Sequence, residues 1–103
     1  MAKELPRAQS TAFDNVAWGH YHFGSFCTGS TTRRATVLRL VKQGLVESAG
    51  MVALCDDDGF TVVPERYREG FRLTEFGIEF GSSNDVHYAI AIRDRGGDAV
   101  SNG

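Results

Sequence analysis

Residues 31–43, TTRRATVLRLVKQ, contain the clearest helical pattern in this chain of 103 residues. Their apolar side chains recur three and four positions apart, which predicts a helix with one buried face. The predicted apolar stripe consists of Ala35, Leu38 and Val41, widened by Val37 and Leu40. Because such a helix is stabilised mainly by the packing of its apolar face, further elements must cover it.

Both ends of this helix are marked in the sequence. Upstream, Cys27-Thr28-Gly29-Ser30 is typical of a tight turn that ends in a helix cap. Downstream, Lys42 lies in the last turn, where a cation interacts favourably with the helix dipole. Gly44 is expected to end the helix in the left-handed conformation, and Leu45 and Val46 are expected to return to the core.

A β-hairpin is predicted after the helix. Runs of apolar and β-branched residues are separated by an acidic turn and by a proline, which has no N–H for a ladder. The segments are a strand at 51–55, a turn at Asp56-Asp57-Asp58-Gly59, a strand at 60–63, a break at Pro64-Glu65 and a return strand at 66–73. Gly70 is expected at a bulge or turn. The pattern leaves a hairpin and a three-stranded meander open.

The two ends of the chain predict further helices. Ser10 and Thr11 are expected to cap one helix, or the first of two short ones. Thr74 predicts another helix start. Residues 85–93 combine a strand-like alternation with helix signals, among them Ser83 as a cap, and a helix is preferred.

Length and composition indicate one ordinary globular domain, with 42% apolar and 23% charged residues. We expect a flexible leader at 1–9, the folded domain at 10–93 and a disordered tail at 94–103. The leader lacks an apolar core of signal-peptide length, and even the longest apolar runs, such as residues 88–92, are too short to span a membrane. With two cysteines at no motif spacing, a cytoplasmic protein with reduced thiols is expected.

Charge is distributed unevenly along the chain. The formal net charge of −2 disfavours binding to phosphate-rich partners. Residues 28–46 nevertheless carry +4 and no acid, whereas residues 47–72 and 73–103 carry −3 each. The predicted helix is therefore the basic region of the chain.

Two sequence motifs, one at the end of the predicted helix and one at the end of the predicted hairpin, resemble motifs of the winged helix-turn-helix superfamily of transcription regulators. The resemblance is to its MarR-like and PadR-like families in particular. Leu40-Val41-Lys42-Gln43-Gly44-Leu45-Val46 is similar to the end of a recognition helix that runs into the first wing strand. Phe71-Arg72-Leu73-Thr74-Glu75-Phe76-Gly77 is similar to the Y-x-L-T-x-x-G exit from the wing. The resemblance covers roughly residues 28–80 and implies a small α+β winged helix-turn-helix domain with a β-hairpin wing.

The chain departs from these families at three places. Two full helices usually precede the recognition helix, but the segment between Thr11 and Thr28 leaves room for less. The buried apolar position near the start of the recognition helix falls on Arg33. The expected wing tip, Asp56-Asp57-Asp58, should be repelled by phosphates.

The resemblance implies sequence-specific binding to double-stranded DNA, with the recognition helix at about 30–43 in the major groove. Residues at the start of this helix can donate to phosphates and base edges, and arginines of the return strand can reach the adjacent groove. The candidate DNA-binding residues are Ser30, Thr31, Thr32, Arg33, Arg34, Arg39, Arg66 and Arg68.

The candidate arginines also have an alternative role inside the protein. Arg33 can extend out of a half-buried site, and the strand arginines can form cross-strand pairs with Glu65 and Glu69. The helix arginines can be neutralised by acids of the C-terminal region. Those acids are Glu75, Glu79 and Asp85.

Metal binding and catalysis have weaker support in the sequence. His20, His22, Cys27 and Cys55 lack the paired spacing of zinc ligands, and the acidic turn lacks the rest of a calcium loop. The sequence contains no nucleotide-binding or catalytic motif. We therefore expect no metal, no cofactor and no enzymatic activity.

A second function stays open. The negative net charge, the acidic turn and the short N-terminal part favour a winged-helix protein-interaction module that docks on a transcription protein without affinity for DNA. The aromatic N-terminal segment and residues 84–93 are candidate surfaces for a homodimer. No membrane partner is expected.

Overall fold

The described chain forms four helices and a three-stranded antiparallel sheet. The computed structural model describes residues 5–28, 32–55 and 62–95, and for residues 52–55 and 62–67 it describes the backbone alone. The elements are α1 (Arg7–Phe23), β1 (Phe26–Cys27), α2 (Arg34–Lys42), β2 (Val46–Cys55), β3 (Val62–Leu73), α3 (Glu75–Ser83) and α4 (His87–Asp94). The predicted α+β class is confirmed.

Helix α1 is continuous and begins earlier than predicted. The predicted caps at Ser10 and Thr11 are wrong, because the helix starts at Arg7 and Ser10 already donates its N–H to the Pro6 carbonyl at 2.8 Å. Proline has a fixed φ and no N–H to satisfy, so it suits the beginning of a helix. The segment predicted as a leader, residues 1–9, therefore overlaps α1.

The sheet has the strand order β1-β3-β2, so the hairpin takes its third strand from the N-terminal part of the chain. Strand β1 pairs with the end of β3, where Phe26 lies opposite Phe71. Cys27, expected to begin a turn, belongs to β1 instead. The meander is not formed, because β3 runs without a break from Val62 to Leu73.

The ladder between β2 and β3 changes register near Pro64. Ala53 lies opposite Tyr67, but the next residue, Leu54, lies opposite Val63, so the residues in between have no partner in the register. A proline cannot donate to the ladder, which explains a slip at this position. The break predicted at Pro64 is thus a break in pairing, although the strand continues.

A second change of register lies opposite Gly70. Gly70 was expected at a bulge or turn, but it is an ordinary strand residue that pairs with Cys27 and with Gly50. The extra residue is Ala49 on the facing strand, next to Gly50 with φ +83°. The bulge therefore belongs to β2.

Helix α2 buries a different stripe from the predicted one. Val37 and Leu40 are fully buried, whereas Leu38 is 38% exposed and Ala35 is exposed as well. One turn further along, the face of Ala35 and Leu38 meets Lys42, and a charged residue disfavours burial of that face. Helix α2 also begins at Arg34, three residues later than the predicted Thr31.

The two family-like motifs meet at one junction. Gly44 ends α2 with φ +80°, as predicted. Thr74 donates its N–H to the Leu45 carbonyl at 3.1 Å, and its hydroxyl donates to the Gly44 carbonyl. The same hydroxyl accepts the N–H of Gly77 at 2.9 Å, so the predicted cap at Thr74 is confirmed.

Gly77 allows the close approach of α3 to this junction. A Cβ at Gly77 would lie 2.0 Å from the Leu45 carbonyl oxygen, a distance that no side chain can occupy. The glycine of the Leu-Thr-x-x-Gly motif is thus required where the hairpin exit packs on the end of α2. The two ends of the hairpin therefore meet at the same place.

Residues 87–94 form helix α4, so the preferred prediction for segment 85–93 is confirmed. The predicted cap is wrong, because Val86 and not Ser83 precedes the first turn. Helices α3 and α4 pack closely, since a Cβ at Gly81 would lie 2.4 Å from the Ala89 Cβ.

The core lies between α1, the sheet and the other helices. Its largest fully buried side chains include Phe13 from α1, Leu40 from α2, Phe71 from β3 and Ile92 from α4. Leu5 packs against this core from the segment that precedes α1. In the described ranges, no helix combines the length and apolar character needed to cross a membrane.

Candidate nucleic-acid interface

The outward face of α2 is basic and lacks acids. Arg39 and Lys42 are exposed there, one helical turn apart, and Leu38 lies beside them. Neither cation has an ion-pair partner among the described residues. Their charges are therefore available to a ligand that approaches this face.

Arg33 directly precedes α2 as its N-cap residue. Its carbonyl accepts the N–H groups of Thr36 and Val37, at 3.1 and 3.2 Å. The half-buried site anticipated for Arg33 is not found, since the residue is exposed. Its side chain lines a groove between α2 and α1.

Arg34 is engaged with β3. Its Nη2 lies 2.8 Å from Oε1 of Glu69, and both side chains are partly open to solvent. The hydrogen bond from Arg34, helped by one from Ser48, holds the pKa of the Glu69 carboxyl below its ordinary value. The pair links α2 to the hairpin, and salt screens it because it is exposed. The sequence predicted that Glu75, Glu79 or Asp85 would neutralise the helix arginines. The acid that pairs with Arg34 is instead Glu69, on strand β3 of the hairpin.

The described arginines of β3 make contacts within the protein. Arg68 donates from Nη1 to the Thr28 carbonyl at 3.1 Å, and Arg72 pairs with Glu47 at 3.0 Å. Arg68 makes no ion pair with Glu69, its neighbour on β3, because the Glu69 carboxylate pairs with Arg34 of α2. These arginines hold the base of the hairpin.

Three candidate residues fall outside what the structure describes. Ser30 and Thr31 lie between the described ranges, and the side chain of Arg66 is among those not described. Thr32 is described and is only 4% exposed. Its hydroxyl accepts a hydrogen bond from Asn15 Nδ2 at 2.7 Å, so it faces α1 and not the outward face of α2.

Sequence reasoning missed two basic contributors to this side of the molecule. Lys42 was interpreted only through the helix dipole, yet it shares the outward face with Arg39. Arg7 was assigned to the leader, but as the first residue of α1 it lines the same groove as Arg33. A helix start placed after Pro6 would have revealed Arg7.

The two neighbouring histidines of α1 face different surroundings. His20 is buried, and its Nδ1 accepts the Leu73 N–H at 3.1 Å. Burial lowers the pKa of the His20 imidazole, and the charges of Arg72 and Arg95 lower it further. His22 is exposed and stacks near Trp18 and Tyr88, so the two rings do not converge on a common ligand.

Comparisons of this chain with known protein families, with curated proteins and with solved structures found no match. The winged-helix resemblance therefore rests on the two sequence motifs, and the α+β fold is compatible with it. The contact between Gly44 and Thr74 shows that these motifs form one structural unit.

Proposed function

We propose that this protein is a winged-helix protein that binds double-stranded DNA through α2. The order of helix, strand, helix and hairpin, with α2 ending in the Gly44 junction, supports a winged-helix-like architecture. Between α1 and α2 the described residues contain strand β1 and no further helix, so the element that would precede the recognition helix is shortened.

The observation that carries the proposal is the exposed basic face of α2. An α-helix with its side chains is about 10–12 Å in diameter, which fits a major groove about 12 Å wide. Arg39 and Lys42 lie on that face without an ion-pair partner in the described chain. Cations placed in this way neutralise phosphates and reach base edges.

Arg34 adds a charge that can be redirected. Its present partner, Glu69, is an exposed carboxylate, and an exposed ion pair exchanges readily for another anion. A phosphate at this edge of α2 would compete with Glu69 for the guanidinium. In this proposal the hairpin base lies beside the DNA backbone and α2 in the groove.

The test is fluorescence anisotropy of a labelled random duplex, measured from low to physiological salt. The wild-type protein is expected to bind at low salt, and binding should weaken steeply as salt increases. Replacing Arg39→Ala and Lys42→Ala together should lower affinity by about tenfold and reduce the salt slope by about two.

Arg93→Ala is the matched control, because Arg93 is an exposed cation on α4, which packs against α1 and α3. We expect this variant to bind DNA almost like wild type. Absence of duplex binding at low salt, or equal losses in the control and the double variant, would contradict the proposal.

A second candidate function is protein interaction. Trp18 and Phe23 are 41% and 45% exposed at one end of α1, with their rings 5.4 Å apart. Exposed aromatic pairs are typical of protein contact surfaces, including those between two copies of a chain. If the duplex does not bind, sedimentation of the wild type and of Trp18→Ala tests this surface first, since a dimer formed there would dissociate in the variant.

A further inference from the structure

A groove of about 580 Å³ lies between the start of α1 and the start of α2. Arg7 and Thr11 line it from α1, and Thr32, Arg33 and Thr36 line it from the opposite side. The groove is next to the outward face of α2 but is a separate concavity. Its walls combine guanidinium groups with hydroxyl groups.

The charge of the groove is positive. Arg7 and Arg33 have no ion-pair partner in the described parts of the chain, and no described lining residue is an acid. Guanidinium groups bind phosphate oxygens with two parallel hydrogen bonds, whereas a hydroxyl adds a neutral donor. This donor set fits a group with several anionic oxygens.

Thr32 adds a hydroxyl group to the wall of the groove. Its residue is 4% exposed and lines the groove, and its Oγ1 accepts the hydrogen bond from Asn15. The hydroxyl group also carries a proton that it can donate, and an oxygen of an anion bound in the groove is a suitable acceptor.

The start of α2 adds donors to the same side. Its N-cap residue Arg33 makes no side-chain cap, and the first turn contains no acid. The N–H groups of Arg34 and Ala35 have no backbone acceptor within the described ranges. The N–H groups at a helix start favour an anion, and here they lie beside two arginines.

We infer that the groove between α1 and α2 is a phosphate-binding site, and that in the complex proposed above it holds one phosphate of the DNA backbone. The assignment of the DNA as the source rests on the proposed function. A free phosphorylated molecule would present the same phosphate chemistry and is the other possible source of the bound group.

The first experiment titrates inorganic phosphate into the ¹⁵N-labelled protein at constant ionic strength. Saturable shifts of the Arg34 and Ala35 amide signals are expected in the wild type and in the control Arg93→Ala. In Arg7→Ala the phosphate affinity should fall by about tenfold, because one charge-assisted contact is lost. Absence of saturable shifts in the wild type would overturn the phosphate site.

The second experiment measures duplex binding of Arg7→Ala against salt. If the DNA supplies the phosphate, the salt slope should fall by about one relative to wild type. Phosphate binding without any duplex binding would support the site, assign it to a free phosphorylated molecule and overturn the proposed function. Duplex binding that depends on Arg39 and Lys42 but not on Arg7, together with no phosphate shifts, would overturn the site and leave the proposed function intact.

Discussion

Helix α1 separates two grooves of similar size and opposite charge. The groove on the side of α2, about 580 Å³, is lined by Arg7 and Arg33. The groove on the side of α4, about 500 Å³, is lined by Asp14 and Asp85, with Trp18 at its wall. The net charge of −2 therefore averages two surfaces that would attract different ligands.

This difference implies that the protein binds a polyanion in one orientation, with the α2 side towards it. Of the two grooves, the one on the α2 side combines donors with positive charge, and the acidic groove would repel phosphates that approach from the other side. Asn15 lies between the two, because it lines the acidic groove and donates to Thr32 in the basic one. The predictions below test how independent the two sides are.

The largest effect is expected when the junction that fixes the end of α2 is disturbed, because the basic groove depends on the position of α2. Gly77→Ala places a Cβ 2.0 Å from the Leu45 carbonyl oxygen, so the backbone must move. We expect a loss of about 3 kcal/mol in the free energy of unfolding, measured with urea. Ser83→Ala, at an exposed site of the same helix, should change it by less than about 0.5 kcal/mol. Similar values for the two variants would contradict the role of this close approach.

Lowering the pH should destabilise helix α1, which both grooves share, through the buried side chain of His20. The pKa of His20 is lowered from 6.5 in the folded state, so the unfolded chain binds more protons near that pH. The contribution of His20 is therefore complete above about pH 6.5 and is lost as the pH falls towards its folded pKa. Thermal unfolding at a series of pH values should show this decrease. His20→Asn keeps an acceptor that does not titrate, so the decrease between pH 7 and pH 5 should be absent from it.

Glu69→Gln should sharpen the contrast on the basic side. The substitution removes the partner of Arg34 and one negative charge next to α2. We expect duplex affinity at low salt to rise about threefold, since the guanidinium becomes available to phosphate. Glu79→Gln removes the same charge from an exposed site on α3 and should have a smaller effect. An unchanged or lower affinity in Glu69→Gln would mean that Arg34 does not face the DNA.

The smallest effect is expected on the acidic side. Burial raises the pKa of the Asp14 carboxyl, so its ionised form is disfavoured in the folded protein. Asp14→Asn should stabilise the protein slightly at pH 7, measured by urea unfolding, and the effect should be small because solvent screens this exposed carboxylate. Asp85→Asn is the comparison within the same groove. A clear loss of stability in Asp14→Asn would show that the carboxylate has a favourable partner on this surface.

Local rules predicted the elements whose determinants are adjacent in the sequence. Gly44 as a helix end and Thr74 as a cap depend on neighbours within a few residues, and both are as predicted. The break at Pro64 also follows from one residue's missing donor. These are positions where the backbone chemistry of one residue decides the structure.

Features that depend on distant residues could not be predicted in the same way. Almost every face of α2 carries an apolar residue, so periodicity alone did not choose between Leu38 and Leu40 for burial. Strand β1 exists because Phe26 finds a partner in Phe71, far away in the chain. The pairing of Arg34 with Glu69 required knowledge of where the hairpin lies relative to α2.

The contact between Thr74 and Gly44 closes the hairpin into a loop whose two ends touch. The hairpin begins at Leu45 and ends at Leu73, and its two ends meet at that one point, although the base of the hairpin packs in the core. The closure entropy of such an excursion grows only slowly with its length, by about 0.6 kcal/mol for each doubling. Residues can therefore be inserted between Cys55 and Val62 with little effect on the rest of the fold, which makes this hairpin a natural position for lengthening, tagging or exchange between proteins of this architecture.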